Sequence, residues 1–99
     1  MRDIIVEREK KGMFDDDVWQ LKVNNKVVAT LRNGKSVTLS ADPKKQYTIQ
    51  CCYEKAGFLG GHHTIISDIV NIPANNKDYK LLASSVGEDL LLEIEDEEE

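Results

Sequence analysis

VWQLKVNNKVVATLRNGKSVTLS, residues 18–40, holds three strand-like segments separated by two turn dipeptides, Asn24-Asn25 and Asn33-Gly34. Both dipeptides suit the positive backbone angles of two-residue hairpin loops, the second more strongly because of its glycine. A hairpin at Asn24-Asn25 sets Leu21 opposite Val28 and Trp19 opposite Thr30. A hairpin at Asn33-Gly34 sets Thr30 opposite Val37 and Val28 opposite Leu39. One face of the resulting three-stranded meander then carries Trp19, Leu21, Val23, Val28, Val37 and Leu39, so two independent turn assignments agree on a single apolar surface. The other face gathers Val18, Val27, Ala29 and Leu31 beside Ser36, Thr38 and Ser40. That face is expected to be covered internally or, failing that, to serve as a docking surface.

Outward from this stretch, RDIIVER (residues 2–8) reads as a first strand, and GMFDDD (residues 12–17) as a loop, since aspartates are disfavoured in strands. Asp42-Pro43 builds a turn. QYTIQCCYE (46–54) alternates Tyr47, Ile49 and Cys51 against Thr48, Gln50 and Cys52, the pattern of a half-buried strand. AGFLGG (56–61) reads as a glycine-rich connection. HHTIISDIVNI (62–72) is β-rich and expected to bulge or kink near Ser67-Asp68, and DYKLLASSV (78–86) is a further strand. Leu90, Leu92 and Ile94 alternate with Leu91, Glu93 and Glu95, which points to a last strand. A helix from Glu88 is the alternative for that segment. The expected architecture is an all-β sandwich of seven or eight mostly antiparallel strands, immunoglobulin-like or jelly-roll-like, because a lone sheet of this length leaves its apolar face uncovered. The domain is expected to span residues 1–95, with 96–99 an acidic disordered tail.

A chain of 99 residues supports one domain with one core. The net charge of −5 is carried by the C-terminus, where residues 88–99 hold eight acids and no base; the remainder has ten acids against thirteen Lys and Arg. Those bases are scattered, with Lys10-Lys11 and Lys44-Lys45 the adjacent pairs, so no basic stripe interleaved with aromatics argues for nucleic acid. No segment is long and apolar enough for a membrane span, and MRDIIVEREKK lacks the apolar run of a signal peptide. Cys51 and Cys52 are neighbours that a strand points to opposite faces, so they read as reduced thiols, Cys51 buried and Cys52 exposed. The expectation is a cytoplasmic domain, or an envelope-associated one if the chain is a piece of a larger protein.

Several residue sets invite chemistry. If residues 46–54 and 62–72 pair across AGFLGG, Cys52 lies near His62 and Cys51 near His63, and two cysteines with two histidines make a zinc set. Adjacent ligands on a strand diverge, leaving at most two on each face where structural zinc takes four. The same thiol–imidazole pairs are the sole frame for nucleophilic catalysis, and mid-strand cysteines lack the loop or helix start that stabilises a thiolate. Asp15-Asp16-Asp17 offers hard oxygen ligands without the spacing of a calcium loop, and reads as a solvated loop. Gly57, Gly60 and Gly61 lack the Lys-Ser/Thr of a phosphate loop and read as a hairpin tip, with Phe58 and Leu59 tucked against the sandwich or gripping a partner. Trp19 serves a carbohydrate site only if exposed; its place beside Leu21 and Val37 makes it core.

Three pieces, Val23-Asn24-Asn25-Lys26, Leu31-Arg32-Asn33-Gly34 and Tyr47-Thr48-Ile49, lie in a run covering about a third of the chain that resembles small bacterial β-sandwich modules related to PEGA domains. Those modules carry a V-x-V-N-G-K hairpin, a G-x-L-x-N-G turn and a Y-T-I strand. The chain departs from them where the name-giving turn should stand, with Asp42-Pro43-Lys44-Lys45 in its place. The resemblance implies an accessory module without catalytic residues. The expected function is accordingly a non-enzymatic, protein-binding one with no cofactor. A zinc domain built on Cys51, Cys52, His62 and His63, or a carbohydrate-binding sandwich, stands as the alternative.

Overall fold

In the computed structural model the described residues form nine β-strands in two sheets, one more than the upper expectation. The structure describes residues 1–11, 17–56, 60–87 and 89–98, the side chains of residues 55, 56, 62 and 96–98 excepted. The strands are β1 (Arg2–Arg8), β2 (Trp19–Val23), β3 (Lys26–Leu31), β4 (Ser36–Ala41), β5 (Tyr47–Ala56), β6 (His62–Ile66), β7 (Val70–Ile72), β8 (Asp78–Val86) and β9 (Asp89–Glu98). One sheet has the order β4-β1-β8-β9; the other has β3-β2-β5-β6, with β7 also paired to β5. All pairings are antiparallel except β1 with β8. Among the described residues no helix is long and apolar enough to cross a membrane.

The ninth strand comes from the kink expected near Ser67-Asp68. Ser67 is buried between β6 and β7, where its hydroxyl accepts the Cys51 N–H at 2.9 Å and its own N–H reaches the Cys51 carbonyl at 2.8 Å. A serine side chain here substitutes for a strand's backbone acceptor, so β5 stays satisfied while the facing chain bends. The C-terminal segment is strand, not helix. It pairs with β8 as far as Glu98, so the boundary drawn at residue 95 falls inside β9.

The first turn behaves as read. Asn24 and Asn25 sit at φ of 50° and 66°, joining β2 to β3 as a hairpin. The register beyond it differs from expectation. Lys22 faces Val27 but Leu21 faces Ala29, so Val28 is an extra residue in β3. This bulge carries Leu21 opposite Ala29 rather than Val28, and Trp19 opposite Leu31 rather than Thr30. One inserted residue exchanges the faces of everything beyond it. Leu31 is therefore fully buried and Val28 is half exposed, the reverse of the expected assignment.

The second turn is not a hairpin. Gly34 alone of its pair takes positive φ, 73°, and the Lys35 N–H donates to the Arg32 carbonyl at 3.0 Å. A turn with only its third residue in that region does not match the twist of paired strands. The chain instead arches from one sheet to the other, and β4 pairs with β1, not with β3. The expected pairs Thr30–Val37 and Val28–Leu39 are absent. The mixed face divides as a result: Ala29 and Leu31 turn inward, while Ser36, Thr38 and Ser40 stand on the outer face of the other sheet and Val27 is exposed.

The core lies between the sheets. Ile4, Val6, Leu81 and Ala83 face Trp19, Leu21, Ile49 and Cys51, closed by Leu90 and Leu92 from β9. Buried Arg8 crosses this layer. Its guanidinium lies 3.7 Å from the Trp19 ring centroid and donates to the Leu31 carbonyl at 2.9 Å and to that of Asp17. At the other end of β1, buried Arg2 donates to Asn75 Oδ1 at 2.8 Å and to the Lys45 carbonyl at 3.0 Å, with its charge 5.8 Å from the Tyr79 ring. Both side chains are held by carbonyl-type oxygens and an aromatic face, the combination that suits a planar fork of donors.

Candidate interaction site

The residues singled out for metal chemistry do not assemble. Cys52 faces Ile66 in the ladder, whereas His63 faces Lys55 and His62 faces Ala56. The histidines thus lie four positions further along the strand than expected, about 13 Å at ordinary strand rise. Among the described residues no group of three or more His, Cys, Asp or Glu is placed to hold a metal ion. Cys52 is buried, contrary to expectation, because it lies mid-strand with paired neighbours on both sides, and its Sγ is 3.7 Å from Gln20 Oε1. Burial pushes the Cys51 thiol up to about 12, with adjacent Cys52 adding to the rise and Arg8 opposing it. A thiol so protonated is a packing group rather than a nucleophile.

Trp19 is 3% exposed and stacked on Tyr53, with centroids 6.1 Å apart and planes 19° apart. It sits between Tyr53 and Arg8, so the carbohydrate reading loses its platform. Asp15, Asp16, Gly57, Phe58 and Leu59 lie outside the described residues. Of the acidic triplet, Asp17 is described, and its carbonyl serves Arg8.

A different place sets partly exposed apolar side chains beside an edge strand. Among the described residues β4 pairs with β1 alone, which leaves its outer edge open, and its sequence SVTLSA contains no charge and no proline. Edge strands are ordinarily guarded by charge, proline or a bulge, and β4 has none of these. Beside it β3, the edge of the other sheet, bows outward at Val28. Between the two edges opens an apolar cleft of about 190 Å³, lined by Ile4, Val23, Val28, Leu39, Ala41 and Tyr47 with Ser40 at the margin. Tyr47 is fixed there because its hydroxyl accepts the Asp42 N–H at 2.9 Å. Asp42 also organises the adjoining turn, its carboxylate accepting the Lys44 N–H at 2.9 Å and its carbonyl the Lys45 N–H at 3.1 Å. The cleft is smaller than the roughly 300–1,000 Å³ of small-molecule pockets, a size for a side chain rather than a cofactor. Lys26 opens β3 and Lys44-Lys45 follow β4, so bases stand in the segments around the cleft.

Sequence reading missed this site because it paired β3 with β4 and buried Val28. The available signal was the run Val27-Val28-Ala29, which breaks the alternation of a regular strand. No family model matches the chain, and no curated protein or solved structure matches it either.

Proposed function

We propose that this domain is a non-enzymatic protein-interaction module that receives an extended segment of a partner along β4. The observation that carries this reading is the open, uncharged edge of β4 lying beside the Val28–Leu39–Tyr47 cleft. Strand addition of this kind takes affinity from main-chain hydrogen bonds and specificity from side chains placed at every second position. Here the main-chain groups belong to β4 and the pocket for one apolar side chain belongs to the cleft. The rigid sandwich behind them keeps the edge extended, so little ordering cost falls on the domain itself. The resemblance to PEGA-like modules agrees with an accessory role of this sort.

The test is selection from a library of random extended peptides, followed by amide chemical-shift mapping of the enriched peptides on the domain. The expected result is enrichment of peptides with apolar residues at alternate positions, shifts confined to β4 and the cleft, and at least tenfold weaker binding to Val28→Asp. Enrichment with shifts confined to another surface, or no enrichment at all, overturns the reading.

A further inference from the structure

The opposite flank of the sandwich is complementary to the cleft. β9 is the far edge of the sheet that begins with β4. Ile94 lies in register with fully buried Leu81 and shares the inward row of Leu90 and Leu92, yet it is 41% exposed because no strand lies beyond it. It stands between Glu93 and Glu95 in a segment, residues 88–99, that contains eight acids and no base. Residues 22–45, which build the cleft side, contain six Lys and Arg and one acid, Asp42. One flank therefore offers an apolar side chain between carboxylates, and the other an apolar socket built by a segment rich in Lys and Arg.

We propose that a second copy of this chain occupies the cleft, with Ile94 of one copy seated against Val28, Leu39 and Tyr47 of the next. This deepens the strand-addition reading and rests on it. Strand direction agrees: β4 and β9 are each antiparallel to neighbours, β1 and β8, that are parallel to one another, so β4 and β9 run the same way. Translating one copy along the sheet then brings β9 against β4 as a parallel pair, with both inner faces still inward. The symmetric alternatives lack this complementarity, because β4 with β4 pairs two uncharged strands and β9 with β9 brings carboxylates together. The contact is heterologous: each copy presents one socket and one plug, and association by translation does not close. Screening by salt weakens such a contact, since its charged groups are exposed.

Sedimentation equilibrium of the whole chain tests this. At low ionic strength the average mass is expected to rise with concentration without stopping at a dimer, and to fall as salt is added. Ile94→Asp and Val28→Asp, both at exposed positions, are each expected to remain folded by circular dichroism and to sediment as monomers. Mixed in equal amounts they are expected to form a species of two chains and no larger, because one intact plug meets one intact socket. Should one variant unfold, Glu93→Lys with Glu95→Lys replaces the first or Lys44→Glu with Lys45→Glu the second, with the same pairing expected; the two charge-reversed variants mixed together have opposite charges at both contacts and are expected to assemble beyond two chains. A parent that stays monomeric at all concentrations, an assembly that ends at a dimer, or variants that fail to complement overturns the proposal. Peptide selection on β4 is independent of these outcomes, so failure of self-assembly is distinguishable from failure of the strand-addition reading.

Discussion

Asn24-Asn25 and Asn33-Gly34 look alike as sequence, each a turn dipeptide between alternating segments, yet the structure uses them for opposite purposes. The first closes a hairpin between consecutive strands and is tied in addition to β5. Both residues take positive φ, and the loop is held by its own hairpin and by Asn24, whose side chain accepts the Thr48 N–H at 3.0 Å while its N–H reaches the Thr48 carbonyl at 2.9 Å. The second is a long-range device. Asn33 exchanges two hydrogen bonds with the Lys11 backbone, at 2.8 and 3.0 Å, and the Lys35 carbonyl accepts the Arg8 N–H at 2.9 Å. Arg8 also holds the Leu31 carbonyl just before the arch. A hairpin turn is specified by its own dihedral angles; an arch needs a separate strand to receive the chain on the far side.

That contrast can be broken at four places. The largest effect is expected for Arg8→Leu, which removes the donor to Leu31 and Asp17 and the charge over Trp19. A loss of about 3 kcal/mol in denaturant unfolding is expected, because buried carbonyls lose their partner. Gly34→Val forces a β-branched residue to φ of 73° and sets its Cβ 3.2 Å from Lys10 Cβ, for an expected loss of about 2 kcal/mol by the same measurement. Asn33→Ala removes both bonds to Lys11 at an exposed site, and about 1 kcal/mol is expected, with faster amide exchange at Lys11 as the local readout. The smallest effect has the opposite sign. Asn25→Gly relieves the left-handed residue of the hairpin and is expected to raise the thermal midpoint slightly, by about 0.5 kcal/mol of stability, without altering the arch.

Most of the fold was legible in the sequence, because alternation and turn chemistry are local properties. The strand over residues 78–86 and the one over residues 2–8 lie where alternation and flanking charge put them. The sandwich follows from the need to cover apolar faces. What was not legible depended on a partner distant in the chain. The destination of β4 is set by β1, which lies nearly thirty residues earlier, and no dipeptide at the turn announces it. The bulge at Val28 is a one-residue event within Val27-Val28-Ala29, and it inverted the predicted burial of Val28 and Leu31. The cleft was invisible for the same two reasons, since it exists only where an outward-bowed β3 and a redirected β4 fail to meet. The cysteine–histidine set failed through register alone: the type and order of residues were suitable, but the hairpin between β5 and β6 closes at His62 opposite Ala56.

The parallel contact of β1 with β8 has a consequence for biosynthesis. During translation the first strand emerges more than seventy residues ahead of the neighbour that flanks it. Until then it has β4 on one side and nothing on the other. Closing so large a loop is slow, and the waiting strand exposes a row of unpaired main-chain groups to other nascent chains. The domain therefore reaches its native state only after the ribosome has delivered almost all of it.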